Sequence, residues 1–257
     1  MRRQKVFIFL FIPVILMMTA AIAVCDTEAP PMLMDARQNI AAELDRMDAC
    51  LKQTARILGT TGLAGDAARA SLNQLCVNFD YAVDCAAIDM TGKMVTIEPA
   101  PFRSFEGKNI SGQKQVRRII KTGKPVLSRV FRAVEGFPAV DAEYPVLTPA
   151  GKRIGSVSIL FHPEKMIGSI LVPLLAGTPV DVWVMEKNGR ILYDLDEMQI
   201  GLNLFKATLY KPYAGLLRVG RRIAANPEGS GVYKFPSGTS PEIVQKKAFW
   251  KSVSLYG

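Results

Sequence analysis

Ile88-Asp89-Met90-Thr91-Gly92-Lys93-Met94-Val95 is a β-hairpin sequence, and the chain repeats it as Met185-Glu186-Lys187-Asn188-Gly189-Arg190-Ile191-Leu192. In both copies apolar residues flank a polar turn that contains glycine, and Asn188-Gly189 is the strongest short hairpin signal in the sequence. A second shared motif follows each copy, Gly107-Lys108-Asn109-Ile110 or Gly201-Leu202-Asn203-Leu204. The repeat predicts two related β-rich modules in tandem. Because it is built from turn and strand residues, it favours a binding scaffold over an enzyme.

The sequence around the first hairpin predicts an antiparallel sheet with one inserted helix. Strands are expected near 82–88 and 93–97, and Ser111 and Gly123 are suited to begin and end a short helix after them. Three more strands are predicted near 126–134, 139–147 and 153–161, because apolar residues alternate there and turn residues separate the runs. Residues 81–162 thus form the first module.

The second module, residues 179–257, follows a connecting helix over residues 163–178. Strands are predicted near 180–186, 190–194, 231–235 and 242–254, with a helix from about Tyr213 to Ala225. The repeat requires one more strand where the sequence stops at Gly257. We therefore expect the second module to lack its last strand.

The first segment, residues 1–25, is interpreted as a signal peptide or a membrane anchor. Arg2, Arg3 and Lys5 precede an uncharged run from Val6 to Cys25, which is about long enough to span a bilayer. Positive charge stays on the cytoplasmic side, so the rest of the chain is expected at the extracytoplasmic face of the cell membrane, anchored or exported. Ala21-Ile22-Ala23 fits a signal-peptidase site, and the residues before Cys25 approximate a lipoprotein box. Cleavage, lipidation and retention all stay open.

Two helices are predicted within residues 32–80. The longer one carries an apolar stripe at helical spacing, formed by Ile40, Leu44, Met47, Leu51 and Leu58. Such a stripe usually packs inside its own subunit, although the same face could pair two copies of the chain as a homodimer.

The charge of the chain does not indicate a nucleic-acid partner. The net charge is +9, but three of the positive charges lie in the first five residues and the others are scattered among acids. No basic helix or aromatic RNA-binding signature accompanies them, so we expect no nucleic-acid binding.

The sequence also lacks the common signatures of enzymes, metal sites and cofactor sites. His162 is the only histidine, and no nucleophile elbow, zinc-protease helix, Cys-x-x-Cys motif or phosphate-binding loop is present. We therefore expect no catalysis, no metal and no cofactor. Cys76 closes a predicted helix and Cys85 lies in the strand that follows. These two could form a disulfide in an oxidising compartment or remain buried free thiols.

The order of the elements and two passages of sequence resemble the double Cache family of extracytoplasmic sensor domains. One passage runs from Thr122 to Val157 through Val134-Glu135-Gly136 and Tyr144-Pro145-Val146, and the other runs from Gly189 to Phe205. The resemblance implies an α+β fold, with a long N-terminal helix and two tandem PAS-like modules, each an antiparallel sheet with flanking helices. It also implies that the membrane-distal first module senses a small molecule and relays its occupancy to a kinase, cyclase or chemoreceptor partner.

A PAS-like module holds its ligand between the sheet and the inserted loop and helix. In the first module the candidate ligand-binding residues are Phe102, Arg103, Arg117, Phe131, Asp141 and Tyr144. Because the planar fork of arginine holds two oxygens at once, these residues predict a small organic anion such as a carboxylate or phosphate. The Tyr, Arg and Trp cluster that the resemblance requires for an amino-acid ligand is not matched by residues 111–118, and residues 156–161 lack the corresponding acid.

Two other functions are compatible with the same sequence. The chain could be a free or lipid-anchored solute-binding protein that serves a transporter, or a structural surface protein without a ligand. In the second module a polar and aromatic group is expected to fix loops by hydrogen bonds rather than bind a ligand, and it consists of Tyr193, Asp194, Asp196, Tyr210 and Tyr213.

Overall fold

The structure of the protein, a computed structural model, describes residues 4–10, 14–20, 29–237 and 240–256. The chain divides into two compact units, one formed by Glu43–Met166 and the other by Ile167–Leu255 with the described residues up to Ala42. Each unit contains its own β-sheet. The α+β fold with a long N-terminal helix and antiparallel sheets, predicted from the sequence, is confirmed.

Helices and strands of each module follow the order that the repeat predicts. In chain order they are β1 (Gln4–Leu10), β2 (Val14–Ala20), α1 (Pro31–Thr61), α2 (Asp66–Val77), β3 (Ala82–Asp89), β4 (Met94–Glu98), α3 (Lys114–Thr122), β5 (Val126–Leu127), β6 (Phe131–Arg132), β7 (Pro138–Leu147), β8 (Arg153–Phe161), α4 (Pro163–Leu175), β9 (Val180–Met185), β10 (Ile191–Asp194), α5 (Ala214–Ala225), β11 (Glu228–Ser237) and β12 (Ser240–Val253). Short 3₁₀ helices lie at Ala100–Phe105, Glu197–Gln199 and Thr208–Tyr210.

The first sheet has the strand order β4-β3-β8-β7-β5, with every neighbouring pair antiparallel, and β6 pairs with β7 beyond β5. One expectation is corrected: residues 126–134 do not form a single strand but the two short strands β5 and β6. Between these two strands the Ser128 side chain pairs with β7, because the backbone N–H of Asp141 donates a hydrogen bond to Ser128 Oγ at 2.9 Å. A side-chain acceptor replaces a backbone carbonyl there, and the strand is interrupted.

The repeated hairpin is closed by an asparagine from the second motif. In the first module the Gly92 N–H donates to the Asp89 carbonyl, and the Asn109 side-chain amide donates to the Thr91 carbonyl, both at 3.0 Å. The Asn109 side-chain oxygen accepts a hydrogen bond from the Ser111 N–H. We call this arrangement of a glycine turn and a bridging asparagine the asparagine clasp.

The second module contains the same asparagine clasp. The Gly189 N–H donates to the Glu186 carbonyl at 2.8 Å, and the Asn203 side-chain amide donates to the Asn188 carbonyl at 2.9 Å. The Asn203 side-chain oxygen accepts from the Phe205 N–H. The sequence repeat is therefore a repeat of hydrogen bonds in the folded chain.

The second sheet has the order β10-β9-β1-β2-β12-β11. The strands β1 and β2 belong to the segment interpreted as a signal peptide or anchor, and they fill the position between β9 and β12 that the repeat leaves without a strand. The expected cleavage site at Ala21-Ile22-Ala23 and Cys25 lie outside the described residues. Within the described ranges, no helix is both long enough and apolar enough to cross a membrane.

The apolar stripe of α1 is buried within the chain. Its predicted members Ile40, Leu44, Met47, Leu51 and Leu58 have no exposed surface. Since these side chains already pack intramolecularly, the stripe is not available to a second subunit, and a homodimer through α1 would have to use its other face.

The asparagine clasp of the first module predicts a large difference between two glycine substitutions. Gly92 and Gly151 have φ angles of 80° and 78°, so alanine strains the backbone at both sites. A Cβ atom at Gly92 would also lie 2.8 Å from Ser111 Cα, whereas at Gly151 it meets nothing within 4 Å. Gly92→Ala is expected to lower the free energy of unfolding by about 2 kcal/mol more than Gly151→Ala in urea denaturation. Equal losses would contradict a tight packing of Ser111 against this turn.

Cys76 and Cys85 lie next to each other between α2 and the first sheet. The Cys76 thiol donates to the Glu98 carbonyl at 3.5 Å, and Glu98 is the cross-strand partner of Cys85. Burial, and then a hydrogen bond with Cys76, raises the pKa of the Cys85 thiol well above its usual range. In the structure both are free thiols, and because they are buried they are less reactive than an exposed cysteine.

We expect this pair to form a disulfide when the chain folds in an oxidising medium. Refolding with oxidised and reduced glutathione, followed by alkylation and peptide mass analysis, should show a peptide pair linked through Cys76 and Cys85, while Cys50 remains alkylated. Complete alkylation of Cys76 and Cys85 in the oxidised, denatured protein would show instead that they stay free thiols.

Candidate functional site

The candidate site is the face of the first sheet that lies beneath α3. On β7, Asp141 and Glu143 project from the same face, because side chains two residues apart on a strand share a side. Asp84 on β3 and Asp141 are both register partners of Leu160 on the strand between them. From α3, the buried Gln115 side chain reaches this face and donates to Asp141 Oδ2 at 3.4 Å. The strands and α3 therefore bring several acids together in the interior.

A small cavity of about 20 Å³ opens among these side chains. Its polar lining consists of Asp84, Gln113, Glu135, Asp141 and Ser158. Its apolar lining consists of Met94, Ile110, Phe131, Val134 and Leu160. No lysine, arginine or histidine is in this lining. The volume is that of roughly one water molecule or one ammonium group.

Three carboxylate oxygens on this face accept no hydrogen bond from any described residue. They are Asp84 Oδ2, Asp141 Oδ1 and Glu143 Oε2, and each belongs to a side chain that is at most 4% exposed. The other oxygen of Glu143 accepts a hydrogen bond from Ser156 Oγ at 2.5 Å. A buried polar group without a partner costs free energy, so this face is poised to take a hydrogen-bond donor.

The same burial perturbs the acidity of the carboxyl groups. Loss of solvation raises the pKa of Asp141 to about 7, and repulsion from Glu135 adds to the shift, while hydrogen bonds from Gln115 and Ser158 oppose it. Burial, and then repulsion from Glu135 and Asp141, raises the pKa of Asp84 well above its usual range. Burial, and then repulsion from Asp141, does the same to Glu143. The charged forms become favourable when a cation enters.

Glu135 is less buried and stands at the edge of the cavity. Burial raises its pKa, while a nearby lysine, Lys108, opposes the shift. The ammonium group of Lys108 is directed over the Phe105 ring at 4.1 Å, and the residue is exposed. Lys108 is thus a surface residue that limits the rise in the pKa of Glu135 without lining the cavity.

Two of the candidate residues named from the sequence lie at the cavity. Phe131 contributes a partly buried aromatic wall, and Asp141 contributes an unpaired carboxylate oxygen. Phe102 packs instead against the apolar cluster around Ile97. Tyr144 projects from the face of β7 opposite to Asp141 and is half-buried.

The structure places neither candidate arginine at the cavity. Arg103 forms a two-pronged ion pair with the buried carboxylate of Glu98, and its Nε and Nη2 atoms are each 3.0 Å from a carboxylate oxygen. Arg117 is exposed and donates to the Gly112 carbonyl at 2.7 Å. The anion preference inferred from these arginines therefore has no support in the geometry of this face.

The sequence reading missed Asp84, Glu143 and Ser158. Each lies within a strand whose neighbours are mostly apolar and buried, as in the run Ala82-Val83-Asp84-Cys85-Ala86. An acid in such a run is rare unless it is paired or functional, so this pattern could have identified the two acids as site candidates.

The second module has a cavity of only about 10 Å³ at the corresponding helix-covered position, and polar side chains near it form hydrogen bonds with backbone N–H groups and with one another. Asp194 accepts from the Asp196 N–H, Asp196 accepts from the Met198 N–H, and Tyr210 donates to Gln199. These are the loop-fixing hydrogen bonds that the sequence suggested. In the part of the chain that the structure describes, no group of three or more His, Cys, Asp and Glu side chains is arranged to hold a metal ion.

Residues 42–163 match the sequence profile of the family described as HK/GC/Chemotaxis protein-like, sensor domain. This match covers α2, α3 and the whole first sheet. No curated protein sequence matches the chain.

Solved structures share the fold over most of the chain. An extracellular ligand binding receptor from Desulfohalobium retbaense is 32% identical with a TM-score of 0.71, and the alignment covers 89% of this chain and 41% of that one. The chain thus spans about two fifths of that receptor's length.

Two chemoreceptor domains are more distant in sequence. The ligand-binding domain of Pseudomonas fluorescens chemoreceptor CtaA, in complex with L-valine, is 15% identical with a TM-score of 0.57, covering 88% of this chain and 94% of that one. The ligand-binding domain of the Pseudomonas aeruginosa PAO1 amino acid chemoreceptor PctC, in complex with GABA, is 15% identical with a TM-score of 0.53, covering 86% and 96%. Both show the same fold. The profile match over residues 42–163 and the shared fold confirm the resemblance to extracytoplasmic sensor domains that was drawn from the sequence.

Proposed function

We propose that the chain is the sensor part of a receptor and that its first module binds a small molecule through an ammonium group. The observation that carries this proposal is the pair of unpaired oxygens, Asp84 Oδ2 and Asp141 Oδ1, on two acids that line one cavity without a basic side chain. An ammonium group offers three N–H donors and a positive charge to such a pair. The aromatic ring of Phe131 in the same lining suits a cation as well.

Known ligands of the similar domains are compatible with this choice. L-Valine, in the CtaA complex, and GABA, in the PctC complex, each carry an amino group. What the present cavity lacks is a cation for their carboxylate. We therefore propose an ammonium ligand instead of the anionic ligand that Arg103 and Arg117 suggested.

Relay of occupancy to a kinase, cyclase or chemotaxis partner also belongs to the proposal, and the match of residues 42–163 to the sensor-domain profile supports it. Homodimer formation is part of the same proposal, whereas attachment to the membrane through the N-terminal segment would require β1 and β2 to leave the second sheet. A stand-alone solute-binding protein is the second candidate, since it would use the same pocket. The unpaired buried acids speak against a structural surface protein without a ligand, because such a protein gains nothing from them.

An ammonium compound should stabilise the folded chain, and the carboxylate of Asp141 should be required. We expect butylamine to raise the melting temperature in thermal unfolding at pH 8, and sodium butanoate to leave it unchanged. Asp141→Asn should weaken butylamine binding at least about tenfold in calorimetry, because a charged hydrogen bond is lost. Asp80→Asn, at an exposed loop position, is the matched control and should bind like the unaltered chain.

Stabilisation by butanoate but not by butylamine would overturn the proposed ligand chemistry. Equal affinity of the Asp141→Asn variant and the unaltered chain for butylamine would place the binding site elsewhere.

The raised pKa of Asp141 also predicts how stability depends on pH. Between the unfolded pKa near about 4 and the folded pKa of about 7, the folded chain binds more protons than the unfolded chain. Stability contributed by this group is therefore full below that window and is lost as pH rises through it. Without ligand, the free energy of unfolding should be greater at pH 5 than at pH 8, on the order of 2 kcal/mol from this group.

Urea unfolding at pH 5 and pH 8 tests whether the free energy of unfolding is greater at the lower pH. In Asp141→Asn the difference between pH 5 and pH 8 should shrink by that amount, whereas Asp80→Asn should keep it. An unchanged difference in Asp141→Asn would show that Asp141 titrates normally in the folded chain.

A further inference from the structure

We infer that a second copy of this chain pairs with the outer edge of β11, so that the two β11 strands run antiparallel about a two-fold axis at Gly231. The inference goes beyond the proposed function, because it names the surface of the homodimer and does not depend on the ammonium ligand. Two observations carry it. The edge of the second sheet at β11 is open, and the charges along β11 are complementary to those of a second β11.

Among the described strands, β11 is the long edge strand that nothing covers. The opposite edge of its sheet, β10, is covered by a loop, since the Ile191 N–H donates to the Leu202 carbonyl. In the first sheet β4 is covered in the same way, through the Met94 N–H and the Lys108 carbonyl, and the other edge consists of two-residue strands. β11 has ten residues and is last in the strand order. A long open edge is a template for pairing with another chain.

The backbone of β11 presents every second residue to this open edge. In an antiparallel ladder, residue pairs that exchange hydrogen bonds alternate with pairs whose N–H and C=O groups point away from the partner strand. The Ser252 N–H donates to the Pro227 carbonyl at 2.6 Å, and the register continues with Glu228 opposite Lys251. The odd-numbered residues from 229 to 235 therefore bond to β12. The even-numbered residues from 228 to 234 direct their backbone groups outward, and all four are exposed.

One register of two β11 strands brings their charged residues together. Glu228 is the only acid of the strand and Lys234 its only base, and each lies three residues from Gly231. A two-fold axis at Gly231 therefore places Glu228 of each copy opposite Lys234 of the other. The same register pairs Ser230 with Val232, so each outward-facing pair can exchange two hydrogen bonds. At the axis two glycines meet, and neither has a side chain that would hold the strands apart.

The Glu228 side chain of the second copy would arrive at a positively charged groove. This groove, of about 530 Å³, lies between the start of α5 and the part of β11 that carries Val232 and Lys234. Arg218 and Lys234 are the only charged residues in its lining. Glu228 contacts Lys251 at 2.5 Å, yet its side chain is 65% exposed, so it remains accessible to a second cation. The two ends of β11 thus carry opposite charges at the same edge.

The geometry limits this assembly to a weak dimer. Pro236 has no N–H group, so the pairing does not extend beyond Lys234. Each copy contributes the same patch, and the contact leaves no further open edge because β10 is covered. A contact of this length buries little surface, so the dimer is expected to be reversible and to form at high protein concentration.

Sedimentation velocity of the full chain, from about 10 μM to about 500 μM, tests the inference. We expect a monomer–dimer equilibrium. Lys234→Glu should raise the dissociation constant at least about tenfold, because the symmetry replaces two opposite-charge pairs with two like-charge pairs. Glu228→Lys should do the same. An equimolar mixture of the two variants should form dimers again, because each strand then meets its opposite charges.

Val232→Pro tests the backbone pairing independently of charge. Val232 directs its N–H outward, so proline at this position removes an edge donor and leaves the hydrogen bonds to β12 in place. This variant should stay monomeric. Val232→Thr keeps the N–H and a branched side chain, so it is the matched control and should dimerise like the unaltered chain.

An unaltered chain that stays monomeric over this concentration range would overturn the inference. A dimer that neither Lys234→Glu nor Val232→Pro weakens would do so as well, because it would use another surface. The monomeric variants should bind butylamine as the unaltered chain does, since their substitutions lie in the other unit. An intact dimer that binds no amine would overturn the proposed ligand and leave this inference standing.

Discussion

The asparagine clasp is the constraint on which the first module depends. Asn109 ties the β3–β4 turn to the segment that leads into α3, so one side chain fixes both the register of the hairpin and the start of the covering layer. Register decides which residues of a strand face each side of a sheet, and a slip of one residue would exchange the two faces. With the observed register, Asp84 and Ile97 lie on the face beneath α3, whereas Glu98 and its partner Cys85 lie on the opposite face.

The site itself is a balance between burial and charge. Desolvation favours the protonated forms of these acids by raising their pKa values, and mutual repulsion strengthens that preference. A cation reverses the balance by supplying opposite charge and hydrogen-bond donors together. Elsewhere in the same unit, the buried acid Glu98 is paired with Arg69 and Arg103. Glu98, whose charge is paired, is thus a structural acid, whereas Asp141 is the acid that we propose to bind the ligand.

The sequence was sufficient to predict the repeat, the order of most elements and the family resemblance, because glycine turns, apolar periodicity and the shared motifs are local signals. It was insufficient for the site. Arg103 and Arg117 looked like ligand-binding residues, but their partners, Glu98 and the Gly112 carbonyl, depend on how a loop folds. Asp84 and Glu143 resembled ordinary strand residues until the sheet was assembled. The position of β1 and β2 in the second sheet also depends on long-range pairing, which no local pattern records.

Asp84 and Cys85 are consecutive residues of β3 that face opposite sides of the sheet, the first toward the cavity and the second toward Cys76 on α2. One peptide unit therefore joins the chemical input to the helical layer behind the sheet. Both side chains are fixed to the same short stretch of β3, so the packing that holds Cys85 beside α2 also limits how far Asp84 can move.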